Sequence, residues 1–513
     1  MGKFQDLRTS TSMTKPTAAE PWLDRVRHSL RGAVPALKRS WPSVVPAVLL
    51  VVLIVPGALL VAPGFLGPEA PAPAPPAPEW QQPPATLSPA RGLAPLDDSA
   101  DVPLASSVTA QVEPLLKADG GGSFTGLVQD ALTGQVLFDR GGSESRVPAS
   151  NLKLLTAVAA LRSLGPERRF TTSVVQGPEA GQVVLVGGGD VLLGAGESNG
   201  DLVMGHAGLA TLAARTVEAL KAAGTNGELR VLVDDSLFTG PALNPAWESG
   251  DVAAGEVAPV YPLAMNSARY DPAVTTGPRP QDSAMTVAEE FAARLRTAGA
   301  AAGLAVAAAV EHSPLAVQSG GGEPAVLAEA ESATVAEQVD LMLQASDNYL
   351  AEVLGRMASV AAGGPGSNDG ATTAVRAQLA DAGISVEGIK LVDVCGLAMG
   401  NQVSARHFSE VVRTIAAGAD SRLRAALNGF PVAGLTGTLD TRYGEDSTAR
   451  GAGLVRAKTG TLNTVLALSG YVVDADGRLL VFSFIGNGLT PGAAGNKVAL
   501  DRAATALAAC GCR

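Results

Sequence analysis

Three cysteines and four histidines are all that 513 residues offer as soft metal ligands. Cys395, Cys510 and Cys512 have neither the number nor the spacing of a zinc site or a disulfide-dense scaffold. His28, His206, His312 and His407 show no H-E-x-x-H or comparable spacing. No metal and no cofactor is implied. Positive charge is also scarce: 38 Lys and Arg stand against 49 Asp and Glu, a net charge of −11, so a nucleic-acid surface, which needs clustered cations, is excluded as the expectation. Disorder is excluded by the opposite measure, since 46% of the residues are hydrophobic and only 17% charged, enough for at least two packed cores.

What is present is unevenly distributed. Residues 1–42 carry eight Lys or Arg against three acids, and residues 43–62 then form a run of twenty without a single charge. A helix of that length spans roughly 30 Å of hydrocarbon. Pro46, Pro56 and Gly57 interrupt it, which membrane spans tolerate better than soluble helices do. The basic flank stays on the cytoplasmic side, so the rest of the chain is expected outside the cytoplasm, held by a single-pass anchor. Small residues at Ala62-Pro63-Gly64 leave a cleaved signal peptide as the alternative. Residues 63–104 hold twelve of the 34 prolines and read as an extended linker, reaching on the order of 100 Å at about 3 Å per residue.

The folded part begins near Ala105. Residues 124–130 and 135–139 read as strands joined at Leu132-Thr133-Gly134, and a helix opening at Ser150 is apolar nearly all round (Leu152, Leu154, Leu155, Ala157, Val158, Leu161), the pattern of a buried central helix. Residues 177–324 change character to short strands punctuated by Gly and Pro, with helices at 209–223 and 287–298, and read as a mainly β inserted domain. From 325 to 513 helices return, followed by strands at 454–458, 464–473 and 479–485 and a last helix from Lys497. The flanking stretches 105–176 and 325–513 therefore form one α+β domain around the insertion. A bond from Cys395 to Cys510 or Cys512 would tie the tail down and leave one thiol over.

Three short motifs stand in order: Ser150-Asn151-Leu152-Lys153, Ser346-Asp347-Asn348 and Lys458-Thr459-Gly460. Each arises easily by chance, so their context carries the signal: the first opens the buried helix, the second sits between two helices, and the third ends an edge strand. In a helix, residues i and i+3 share a face, which puts the Lys153 amine within reach of the Ser150 hydroxyl. Lysine ordinarily titrates near 10.4, and burial beside the Lys458 cation disfavours the ammonium, making Lys153 a credible proton acceptor. Ser346 can relay a proton to a leaving amine, Asn348 can hold Lys153 and a substrate backbone, and Lys458, Thr459 and Thr461 can bind a carboxylate. The N–H groups of Ser150 and Thr461 are the natural oxyanion donors. Gly187 to Gly189 do not make a phosphate cradle, because Leu192 stands at the sixth position of a G-x-G-x-x-G.

The motif trio resembles that of penicillin-binding proteins and class A β-lactamases. With Gly187-Gly188-Gly189-Asp190, Val233-Asp234-Asp235-Ser236, Asp393-Val394-Cys395-Gly396-Leu397, Gly434-Leu435-Thr436-Gly437-Thr438 and Lys458-Thr459-Gly460-Thr461-Leu462, residues 105–500 resemble the D-alanyl-D-alanine carboxypeptidase/endopeptidase family, the low-molecular-mass class C penicillin-binding proteins. The resemblance implies a serine β-lactamase/transpeptidase-like fold, an antiparallel sheet flanked by helices, with the insertion lying within the separation of 196 positions from Ser150 to Ser346. It implies a serine-type D-Ala-D-Ala carboxypeptidase, with DD-endopeptidase cleavage open to the same site, acting on peptidoglycan stem peptides and inhibited by β-lactams. Ser150, Lys153, Ser346, Asn348 and Lys458 would be catalytic, and Thr459, Gly460 and Thr461 would bind substrate. The family usually has proline where Val191 stands and serine where Cys395 stands. A β-lactamase and a catalytically idle wall-binding protein of the same fold are the alternatives; no Glu-x-x-Leu-Asn deacylation pattern lies between Ser150 and Ser346.

Overall fold

The computed structural model describes residues 97–313 and 324–511. The expected anchor at 43–62 and nearly all of the linker fall outside them; among the described residues no helix is long and apolar enough to cross a membrane.

In chain order, the elements before the insertion are α1 (Ala105–Val112), β1 (Gly121–Asp130), β2 (Val136–Arg140), β3 (Ser145–Arg146) and α2 (Lys153–Ser163). The insertion, wider at both ends than the expected 177–324 because β4 and β8 pair within its sheet, contributes β4 (Thr171–Gln176), β5 (Gln182–Val186), α3 (Leu209–Ala222), β6 (Glu228–Asp234), α4 (Ser249–Ala254), α5 (Ser283–Ala300), β7 (Ala305–His312) and β8 (Val326–Glu331). After it come α6 (Val335–Ala345), α7 (Asn348–Ala361), α8 (Asn368–Asp381), β9 (Val403–Ser404), α9 (Ala405–Ala417), β10 (Arg456–Leu462), β11 (Val465–Val473), β12 (Leu479–Thr490) and α10 (Lys497–Ala508).

The main sheet has the order β10-β11-β12-β1-β2 and is antiparallel throughout. Its strands alternate between two cores, as side chains on successive strand residues must. Val128, Leu466, Leu468, Phe482 and Phe484 face α1 and α10, while Leu127, Ala467, Val481 and Ile485 face the helical body built on α2, α7 and α9. Helix α2 is its axis, with Lys153 to Leu161 all buried. An unbroken buried run of that kind forms only where neighbours close on every side, here α6, α7, α8 and α9.

The second sheet has the order β7-β6-β5-β4-β8, and its β5, β6 and β7 run parallel. The reading of this region as mainly β needs correction: α3 and α5 contribute Leu212, Val217, Phe291 and Leu295 to its core, so the module is α/β. Parallel strands need crossover helices, and those helices cover the sheet.

Two further expectations are corrected. The helix does not open at Ser150; residues Ala149–Leu152 form a 3-10 turn and α2 starts at Lys153. Pro148 precedes the turn, and Ala149 has a φ of +48°, a left-handed conformation that no α-helix accommodates. Lys458-Thr459-Gly460 lies in the middle of β10, not at its end. The bond expected between Cys395 and the tail is not formed. Cys395 is a free, buried thiol in the helical-body core, whereas Cys510 lies in the core on the opposite face of the sheet and is disulfide-bonded.

Candidate active site

All three motifs meet at one cleft of about 1160 Å³, whose walls include Ser150, Ser346, Asn348, Thr459 and Thr461. Lys153 and Lys458 are fully buried just beneath it. The 3-10 geometry stacks residues three apart, so Lys153 Nζ lies 3.0 Å from Ser150 Oγ. The other two contacts of Nζ are shorter, 2.6 Å to Asn348 Oδ1 and 2.7 Å to the Cys395 carbonyl. Both of those oxygens can only accept. A neutral amine has two protons and one lone pair; with the protons directed to the carbonyls, the lone pair faces the one neighbour that has a proton to give, the Ser150 hydroxyl. Asn348 is held in the required orientation because its Nδ2 donates to the Glu256 carbonyl at 2.9 Å.

Burial pushes the Lys153 ammonium below its ordinary range, and the nearby Cys395, Asp393, Asp347 and Glu352 draw it partly back. Lys458 is pushed well below that range, chiefly by burial and also by Lys153 whenever that amine is protonated. Its Nζ donates to Ser346 Oγ at 2.9 Å and to the Thr459 carbonyl at 2.8 Å, so the second and third motifs share one amine. Thr459 Oγ1 is 2.7 Å from Thr438 Oγ1, and Thr461 is exposed at the cleft.

Ser346 is the C-cap of α6 with φ +55°, and Asp347 caps α7 by accepting from the Leu350 N–H at 3.0 Å. A left-handed serine persists only where neighbours over-determine it. Here they do: Asp347 also accepts from Ser267 Oγ at 2.8 Å and from Arg269 Nη2 at 2.9 Å. Gly460 closes the opposite wall. A Cβ there would stand 2.9 Å from the Pro148 carbonyl oxygen and 3.1 Å from Ser150 N, so only glycine lets β10 lie against the nucleophile turn. Asn151 pins the same turn to the sheet: both poles of its buried amide are satisfied with Nδ2 2.9 Å from Lys458 O and Oδ1 2.6 Å from Ser469 Oγ.

Every motif residue singled out from the sequence therefore stands at one cleft: Lys153 bonds directly to Ser150 and Asn348, Lys458 bonds directly to Ser346, and Thr459, Gly460 and Thr461 lie on the adjoining strand. The sequence reading missed Ser267, Arg269, Glu256 and Glu352. The signal for Glu352 was a charge, with Arg356 one turn on, in a helix otherwise rich in apolar residues, while Arg269 is brought in only by the tertiary fold.

The sequence profile of the D-Ala-D-Ala carboxypeptidase 3 (S13) family matches residues 108–294 and 274–507. A carboxypeptidase of Mycobacterium tuberculosis is 35% identical over 450 residues, covering 87% of this chain and 91% of its own length. The chain belongs to this family. Carboxypeptidase DacB of Mycolicibacterium smegmatis is 36% identical over 444 residues, 85% of this chain and 90% of its own. Among solved structures, penicillin binding protein 4 of Haemophilus influenzae shares the fold, with a TM-score of 0.62 at 20% identity over 78% of this chain and 97% of that one. The same protein complexed with a β-lactam superimposes with a TM-score of 0.53 over the same shares. In this S13-family chain the Ser-x-x-Lys, Ser-x-Asn and Lys-Thr-Gly motifs and the 3.0 Å serine–lysine contact coincide.

Proposed function

We propose that the chain is a serine-type D-Ala-D-Ala carboxypeptidase that trims peptidoglycan stem peptides, can open DD-cross-bridges at the same site, and is acylated by β-lactams. Ser150 Oγ attacks the penultimate carbonyl carbon while Lys153 Nζ takes the hydroxyl proton. The N–H groups of Ser150 and Thr461 receive the developing oxyanion. The proton passes by way of Ser346 to the amine of the terminal D-alanine, which leaves, and the acyl group remains on Ser150. Water then attacks the ester, gives its proton to Lys153, and Ser150 is regenerated. Lys458, Thr459 and Thr461 hold the terminal carboxylate.

The observation that carries this reading is the contact of Lys153 Nζ with Ser150 Oγ at 3.0 Å, with both carbonyl acceptors on the amine's other sides. Family membership and the β-lactam complex of the Haemophilus influenzae protein support it. The test is free D-alanine released from a synthetic pentapeptide ending in D-Ala-D-Ala. Wild-type protein is expected to release it and S150A to fall by about 10³-fold or more. No release by the wild type overturns the reading.

We further propose that residues 43–62 anchor the chain in the cell membrane with the catalytic domain outside the cytoplasm. The support is the basic flank before that uncharged run and the proline-rich spacer after it. In fractionated cells the full chain is expected with the membranes and open to external protease; recovery from the cytosol contradicts this.

A further inference from the structure

We propose that Glu352 is a positioning residue for the acylation base: through the backbone of Val394 and Cys395 it fixes the carbonyl to which Lys153 donates, and so aims the amine's lone pair at Ser150. This assignment rests on the proposed Ser150–Lys153 chemistry.

Glu352 lies four residues beyond Asn348 on α7, so both project from one helix face toward α2. Asn348 provides one of the two carbonyl oxygens that orient Lys153. Glu352 governs the other. Its Oε1 accepts from the N–H groups of both Val394 and Cys395, each at 2.9 Å, and the side chain is fully buried. Between those two donors and the next peptide stands the Cys395 carbonyl, 2.7 Å from Lys153 Nζ, while the Val394 carbonyl accepts from Thr156 Oγ1 at 2.6 Å on the same helix as Lys153. The shelf is fixed at its other end by Asp393, which accepts from Gly396 N at 2.9 Å, Ala398 N at 2.7 Å and Trp247 Nε1 at 3.0 Å. It packs directly against the nucleophile turn: Gly396 has φ +88°, and a Cβ there would come 2.0 Å from the Ala149 carbonyl oxygen, so only glycine allows that approach.

A carboxylate in this position has more than a structural effect. Its Oε2 is buried with no hydrogen-bond partner among the described residues, so its charge is compensated on one side only. The ionisable groups facing it are Asp393 and Cys395 on the shelf, Arg356 one turn along α7, and Lys153 on α2. Burial and Asp393 push its carboxyl up to about 7, and in its ionised form it stabilises the Lys153 ammonium. Glu352 therefore places the base and, when ionised, adds to the charges that hold a proton on it.

The experiment measures the second-order rate of Ser150 acylation by a fluorescent penicillin across pH 5 to 10 with the full chain, for wild type, E352Q and E352A. E352Q keeps the shape and an oxygen acceptor but removes the charge. It is expected to retain most of the rate at high pH and to move the acid limb of the profile to lower pH by about half a unit or more, because the lysine loses its proton more readily. E352A, which removes the clamp, is expected to lose about tenfold or more in rate at every pH. An acid limb in E352Q that coincides with wild type overturns the assignment even when E352A is impaired, since a merely structural glutamate would not move it. If wild type is not labelled at Ser150 at all, the Ser150–Lys153 chemistry fails instead, so the two failures are distinct.

Discussion

Arg269 Nη2 donates to Asp347 Oδ2 at 2.9 Å, joining the inserted module to the turn that carries Ser346 and Asn348. Both side chains are buried, 9% and 1% exposed. The arm that delivers Arg269 runs through three consecutive residues in the left-handed region, Asn266, Ser267 and Ala268, with φ between +52° and +58°. Such a turn costs roughly 1–2 kcal/mol per residue, which Asp347 and the Arg279 bond to the Ser267 carbonyl at 2.8 Å offset. The insertion is thus a buttress of the catalytic turn as well as a wall of the cleft.

Breaking that pair leaves a buried carboxylate half-compensated. R269Q is expected to destabilise the protein by about 3–5 kcal/mol and to slow acylation as Ser346 and Asn348 loosen. Thermal unfolding and penicillin labelling check both parts. An unchanged Tm would mean that the buttress does not operate.

Gly460 gives a purely steric prediction. An added methyl group would meet Pro148 O, Ala149 Cβ and Ser150 N at 2.9–3.1 Å, so G460A must push β10 away from the nucleophile turn. The expected result is a loss of about 10²-fold in acylation, the scale of a 1 Å misplacement, with a much smaller loss of stability. Labelling rates normalised to folded protein read this directly.

Asp190 makes stability depend on pH. Burial pushes its carboxyl from 3.8 up to about 7. Below pH 3.8 folded and unfolded chains both hold the proton; between there and about 7 only the folded chain does, so its contribution to stability falls as pH rises through this window. In D190N the amide keeps the acceptor that takes the Leu192 N–H at 2.9 Å and has no charge to bury. D190N and wild type are expected to unfold at similar denaturant midpoints near pH 4, with D190N more stable at pH 8. Parallel curves over that range would contradict the burial argument.

The local signals in the sequence were the ones that survived. The Ser346 motif does lie between two helices, α6 and α7, and the strands expected at 464–473 and 479–485 form β11 and β12. The three motifs were legible because each is a handful of adjacent residues. What stayed hidden is non-local. Arg269 reaches Asp347 across 78 positions, Glu352 reaches the Val394 N–H across 42, and neither has a sequence neighbour that announces the contact. The α/β character of the insertion was masked because its strands are short and punctuated by Gly and Pro, and because the pairing of parallel strands through crossover helices is non-local. The 3-10 turn that opens at Ala149 escaped because a positive φ at alanine has no sequence signature.

The most direct test concerns the protonation of Lys153. Carbon-13 labelling at lysine Cε, with K153R and K458R used to assign the signals, follows each buried amine through a pH titration by NMR. Lys153 is expected to titrate below the ordinary lysine value of 10.5, and the acid limb of acylation should track that titration. A Lys153 signal that remains that of an ammonium while Ser150 is acylated at full rate would contradict its role as the base.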